Sequence, residues 1–235
     1  MPFPLPAQSA SNSFTMSANP TAAFDPSNIS GLSHWFDASD ASTITLSGSA
    51  VTAVTNKVSG GANFAAAPAG GPDREASNSL ANDNPAFVWP TSSNAKGFDF
   101  ASDQAGIVEF MIVCAWQDGS SVDFASGGSF IANNHASKTT APGNDLRIYG
   151  QDSRNFLRYE DTRGSAQPHI GMADPSGVVL PMGLSVLRIK SDAMDVGTMF
   201  SRYNGNNKGW QGVVCEIMLF TTALTDNEVF NLNAY

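Results

Sequence analysis

Val108-Glu109-Phe110-Met111-Ile112-Val113-Cys114-Ala115-Trp116 is the stretch on which the fold turns. In an extended chain Val108, Phe110, Ile112, Cys114 and Trp116 share one face, and Met111, Val113 and Ala115 share the other. Apolar residues on both faces mark a central strand covered on both sides. The apolar run from Ile107 to Trp116 contains Glu109 and falls far short of the ~20 residues a membrane helix needs. A second strong strand, Gly212 to Phe220, is expected to set Val213, Cys215, Ile217 and Leu219 on one face.

Outward from these two, weaker strands follow one another. Leu32 to Ala38 is short and aromatic, and closes on the turn signal Asp37-Ala38-Ser39-Asp40. Ala50 to Val58 alternates and ends at Gly60-Gly61. Pro85 to Trp89 and Gly97 to Phe100 read as two strands about a Ser/Asn turn. Phe130 to Asn133, Leu146 to Tyr149, Phe156 to Tyr159 and Leu184 to Lys190 are half-polar. Thr198 to Tyr203 runs into Asn204-Gly205, a strong hairpin dipeptide. Many short strands with turns between them predict an all-β sandwich or jelly roll. Only the end looks helical. Thr225-Asp226-Asn227-Glu228 is a capping box, Leu224 and Val229 are placed as its hydrophobic staple, and Val229, Phe230 and Leu232 supply an apolar stripe.

The composition agrees. The chain has 235 residues, 21 glycines, 13 prolines and 15 phenylalanines, with only 14% charged residues, which suits strands and tight turns better than solvated helices. Its formal net charge of −9 repels phosphate backbones and anionic lipid, so nucleic acid and membrane are not expected partners. Cys114 and Cys215 sit in apolar strands and are expected as buried free thiols, the alternative being an inter-sheet disulfide. The start, MPFPLPAQSA, lacks the basic and apolar regions of a secretory signal, which predicts a soluble protein made in the cytoplasm.

Residues 1–23 form a segment of their own, ahead of a domain spanning 24–235. No charged side chain occurs before Asp25, and Pro2, Pro4 and Pro6 favour extended backbone. Such a segment cannot bury enough apolar surface alone to offset its ordering entropy, but apolar arms order on binding. Phe3, Leu5, Phe14 and Met16 are its candidate anchors on other chains.

Phe24-Asp25-Pro26-Ser27-Asn28-Ile29-Ser30-Gly31-Leu32-Ser33-His34-Trp35-Phe36-Asp37-Ala38-Ser39-Asp40, with Ser42-Thr43-Ile44-Thr45, resembles the start of concanavalin A-like (LamG-type) jelly-roll domains of bacteria and their phages. Gly212-Val213-Val214-Cys215-Glu216-Ile217-Met218-Leu219-Phe220, then Ala223-Leu224-Thr225 and Glu228, is similar to that family's last strand and short helix. The resemblance implies a two-sheet antiparallel jelly-roll sandwich with one short C-terminal helix, here behind an extended N-terminal arm. It implies little about activity, because lectins, glycan hydrolases, adhesion modules and virion proteins share the fold.

The hydrolase branch carries a Glu-x-Asp-x-x-Glu run that sets its carboxylates on one strand face, and that run is absent. Glu109 and Glu216 are the acids inside the two strong strands, and neither has an acid two or four residues away. Glu216 reads as a structural carboxylate near the helix cap. Asp99 and Asp103 are four apart, but Ser-Asp-Gln-Ala-Gly reads as a loop that keeps Asp103 off the strand face. His34, His135 and His169 lack metal-ligand spacing, and no nucleophile elbow or phosphate loop is found. No catalytic residue is nominated and no cofactor is expected; the resemblance admits calcium, for which no Asp-rich loop has ligand spacing. A sugar site is nominated at Tyr203, Asn204, Asn206 and Trp210, where amides and aromatics meet, against an ordinary hairpin with Trp210 packed inward. Asn133-Asn134-His135 is a weaker second candidate.

The expectation that follows is a phage virion structural protein: a capsid decoration, fibre or tail-surface subunit attached partly through its arm to other virion chains, or to copies of itself. The alternative is a carbohydrate-binding adhesion module for host surface glycans.

Overall fold

A computed structural model describes residues 24–89, 96–116, 129–135, 145–151, 156–161, 182–201 and 210–235. The arm anchors Phe3, Leu5, Phe14 and Met16 therefore lie outside the described residues, as do Tyr203, Asn204 and Asn206 of the nominated sugar site.

The described chain is mostly β. Its strands are β1 (Leu32–Asp37), β2 (Ile44–Ser47), β3 (Ala50–Val54), β4 (Phe64–Ala66), β5 (Asp73–Asn78), β6 (Asn84–Trp89), β7 (Phe98–Trp116), β8 (Ser129–Asn133), β9 (Asp145–Gln151), β10 (Phe156–Asp161), β11 (Met182–Met199) and β12 (Gly212–Phe220). One α-helix, α1 (Asp226–Ala234), ends it. All twelve strands join one sheet, and every pairing among them is antiparallel. The sheet closes on itself: β12, β6, β5, β3, β4 and β7 pair in turn, and β7 pairs back to β12. Around this barrel, β1 extends β12, β2 extends β3, and β11 carries β8, β9 and β10 away from β7.

Alternation fills the interior. Phe110, Ile112 and Cys114 of β7 point into the main core with Phe36, Val54, Phe64, Phe98 and Ile217. An aromatic chain crosses it, with Phe36 stacked on Phe64 at 3.8 Å, Phe64 on Phe98 at 4.8 Å, and Trp89 edge-on to Phe98 at 6.0 Å. Trp210 ends the chain, 5.5 Å from Phe200 and wholly buried, so its indole packs inward and offers no face for stacking a ligand. Met111 leaves β7 on the opposite face, where it packs with Trp35, Met218, Phe220 and residues of α1. The central strand is thus apolar on both faces because both are covered.

Two expected loops and strands differ. Phe98 to Trp116 is one strand, and Asp103 lies on it rather than in a loop. Gly106, at φ +74°, kinks it, and β11 answers with register shifts between Lys190 and Thr198. Because glycine carries no Cβ, the chain turns at this point without leaving the sheet. Asp99 and Asp103 then meet the same imidazole: His135 Nε2 lies 2.8 Å from Asp99 Oδ1, and Nδ1 lies 2.6 Å from Asp103 Oδ1.

On β12 the expected face also changes. Val214, Ile217 and Leu219 enter the main core, while Val213 and Cys215 pack outside it. The cause is a β-bulge: Val214 pairs with Cys114 and Glu216 with Val113, so Cys215 is an extra residue. One extra residue reverses the alternation beyond it. Cys215 and Glu216 therefore face outward together.

The capping box forms as read: Thr225 Oγ1 accepts from Glu228 N at 3.3 Å, and Glu228 Oε2 accepts from Thr225 N at 2.7 Å. Leu224, Val229 and Leu232 pack on the outer cluster, but Phe230 is 71% exposed. A step of 100° per residue puts 229 and 232 on one face and swings 230 away. The segment before the helix is held by wholly buried Glu109, which pairs with Arg188 and accepts from Leu224 N at 2.8 Å. Cys114 and Cys215 are free thiols, Cys114 buried and Cys215 only half-buried at its bulge.

Candidate functional site

The outer face of β1 and β12, at the C-terminal end of α1, gathers the ionisable groups. Past a register shift between Leu32 and His34, strand β1 alternates, so Phe36 enters the core, Trp35 packs outside it and Asp37 follows Trp35 on the outer face. Its free edge is braced by one side chain. Asn56 Oδ1 accepts from Trp35 N at 3.0 Å, and Asn56 Nδ2 donates to Ser33 O at 3.1 Å, so an amide imitates a neighbouring strand. Gly61 lies against this brace, where a Cβ would come within 2.0 Å of Asn56 Nδ2. The chain continues with Lys57 N donating to Trp35 O at 3.0 Å. That bond places Lys57 Nζ 4.1 Å from the Trp35 ring centroid, 3.0 Å from Asp37 Oδ2 and 3.5 Å from Asp40 Oδ2.

Across the β1–β12 pair, Asp37 sits directly opposite Glu216. Directly opposed residues project on one face with Cβ atoms ~5 Å apart. Trp35 Nε1 donates to Glu216 Oε1 at 2.6 Å. Burial, joined by the negative charge of Asp37, pushes the Glu216 carboxyl up to about 7, against the opposing pull of the Trp35 bond and Lys57. Glu216 is therefore largely a neutral acid at mildly acidic pH. It stands at the opposite end of α1 from the N-terminal cap, beside Tyr235, whose ring meets Trp35 at 6.1 Å and Phe24 at 6.4 Å. Burial and then Glu216 raise the Tyr235 hydroxyl. Burial lowers Lys57, but the bond to Asp37 and the charges of Asp37 and Asp40 outweigh it, leaving the ammonium stabilised. Burial, then Glu216 and Asp37, pushes the Cys215 thiol up to about 11, so it is a poor nucleophile.

These groups open onto a cleft of about 400 Å³ whose lining includes Asp37, Ser39, Asn84, Glu216 and Tyr235. Its polar rim and exposed aromatic are groups that hydrogen-bond and stack on a small polar ligand.

The other candidates read as architecture. Asn133 and Asn134 are buried, and Asn133 Nδ2 donates to Ser201 O at 2.8 Å, tying β8 to the end of β11. His34 is buried against Phe100 at 5.0 Å, and burial lowers its imidazole to about 4. Among the described residues no group of three or more His, Cys, Asp or Glu is arranged to hold a metal ion, and no helix is long and apolar enough to cross a membrane. Sequence reasoning missed the Asp37–Glu216 pair because the two residues are far apart in the chain. The signal available was limited to two outward-facing acids in the first and last apolar strands.

No family model, curated protein or solved structure matches the chain. The concanavalin A-like resemblance thus rests on the quoted end motifs.

Proposed function

We propose that the chain is a structural subunit of a phage virion surface, a capsid decoration, fibre or tail-surface protein. In this reading the β domain is a concanavalin A-like jelly roll facing solvent, and residues 1–23 dock on neighbouring chains. The observation that carries it is the absence of any charged side chain before Asp25, ahead of a domain whose described residues close a core from Phe24 onward. Antiparallel pairing throughout the described strands and a final capped helix support the jelly-roll assignment. On a neighbour, Phe3, Leu5, Phe14 and Met16 each contribute roughly 1.5–3 kcal/mol if fully buried. Ordering extended backbone costs ~1–2 kcal/mol per residue, so these anchors offset only the short stretches around them, and ordering the whole arm needs further contacts along the neighbour. Deleting residues 1–23 is expected to leave a folded domain with an unchanged thermal midpoint that no longer joins the assembly, measured by occupancy on reconstituted particles. Assembly at full occupancy without the arm overturns the reading.

A second reading, glycan binding by the same surface domain, is favoured by the cleft at Asp37, Glu216 and Tyr235. The two are compatible, since a surface subunit is a natural carrier for a host-glycan site. A glycan array probed with the full chain tests it, and the absence of any bound glycan overturns it.

A further inference from the structure

We infer that the cleft between the end of β1, the β12 bulge and the C-terminus of α1 binds a neutral sugar ring through neighbouring hydroxyls, with Tyr235 as its aromatic wall. The inference rests on the glycan-binding reading and gives it a place and a ligand class.

The argument is an inventory of what the cleft has left to offer. Asp37 Oδ1 already accepts from Ser39 N at 2.8 Å and Ser39 Oγ at 2.6 Å, and Oδ2 accepts from Lys57. With about four acceptor sites on a carboxylate, Asp37 keeps about one, on Oδ2. Glu216 uses Oε1 for Trp35, and no bond to Oε2 is found among the described residues. Asn84 spends its amide hydrogens on Ala81 O at 2.9 Å and Asn82 O at 3.3 Å, which leaves its carbonyl oxygen as an acceptor. Tyr235 is 54% exposed and adds a hydroxyl and a ring face. What remains is several acceptors and, when Glu216 is protonated, a carboxylic acid donor. A sugar hydroxyl both donates and accepts, so neighbouring hydroxyls match that mixture.

Charge selects among ligands. Asp37 and Asp40 share Lys57, leaving the site slightly negative, so uronic acids, sialic acids and phosphates are repelled. An ammonium ligand fits less well, because Lys57 already occupies the ionised carboxylates. The groups facing Glu216 are Trp35 and Asp37 of β1, Lys57 beyond β1, Cys215 of β12 and Tyr235 at the C-cap of α1, with uncharged Val113 and Leu184 lining the β7 and β11 side, while Asp40 is paired with Lys57. Of these, Glu216 titrates near neutrality, and its ionisation converts a donor into an acceptor among acceptors.

The test uses the full chain and methyl glycosides of glucose, galactose and mannose, with glucuronate and spermidine as charged probes, in ligand-observed NMR at pH 6 and pH 8.5. At least one neutral glycoside is expected to bind at pH 6 and to weaken about tenfold at pH 8.5, where the acid donor is lost. Tyr235→Ala is expected to weaken binding about tenfold, and Glu216→Gln, which keeps a donor, to bind with no pH dependence. A cooperative urea transition at pH 6 and a wild-type circular dichroism spectrum show that the variants are folded. Binding by wild type that is undiminished in Tyr235→Ala and equally pH-dependent in Glu216→Gln overturns this site and leaves the glycan reading standing. No binding to any neutral glycoside overturns both, and spermidine binding that strengthens with pH assigns the cleft to cations instead.

Discussion

Glu216 shows how one residue acquires its character from position alone. Its raised pKa means the folded protein keeps a proton, up to about pH 7, that the unfolded chain loses above about 4.5. Between those values the native state binds more protons than the unfolded state, so this group's contribution falls as pH rises. His34 acts oppositely: burial lowers it to about 4 from 6.5, so the unfolded chain binds the extra proton and stability rises with pH over that window. The two slopes nearly cancel in the wild type and separate in Glu216→Gln. The variant is expected to gain on the order of 2–3 kcal/mol relative to wild type between pH 4.5 and 7.5, read from urea midpoints at each pH. A difference that does not change with pH would mean that Glu216 titrates as an ordinary carboxyl.

Among the elements, α1 depends most on a single tie. The capping box makes the helix locally sound, but its hold on the barrel runs through Leu224, whose N–H bonds to Glu109 and whose carbonyl accepts from Arg188 at 3.3 Å. Removing one partner of a buried pair strands the other charge. Glu109→Ala is expected to cost about 3–5 kcal/mol, while the paired change Glu109→Met with Arg188→Met costs much less. Chemical denaturation of the single and double variants measures both, and an additive double variant would show that the pair does not act as a unit. The capping box was legible because all its partners lie within four residues. The Glu109 tie was not, since its partners are brought by β11 and by the turn after β12. The β12 bulge escaped for a related reason: Val213, Val214 and Cys215 are all apolar and suit either face, and the extra residue appears only in the pairing with β7.

At the scale of the molecule, β7 is the hub. It pairs along one edge with β11 and along the other with β4 and then β12, so its amides open only when the barrel does. Hydrogen exchange is expected to be slowest at Phe110 to Ala115 and Val213 to Leu219, at the rate of global unfolding. β2 pairs with β3 alone and is largely exposed, so Thr45 to Ser47 should exchange among the first. Equal protection in β2 and β7 would show that the sheet opens as one unit and that β7 has no privileged place.

The sequence by itself determined the all-β class, the strength of the two central strands and the capped helix. Each depends on a period or a spacing within a few residues, and local sterics and hydrogen bonding act at that range. It also determined the uncharged arm, a matter of composition. Tertiary structure alone decided that Asp103 lies on a strand, that Trp210 turns inward and that Cys215 and Glu216 share a face. It likewise placed Asp37 opposite Glu216, 179 positions further along the chain. Those outcomes depend on which strands pair and in what register, and register is fixed by burying both faces of β7 at once. No segment of the chain encodes that alone.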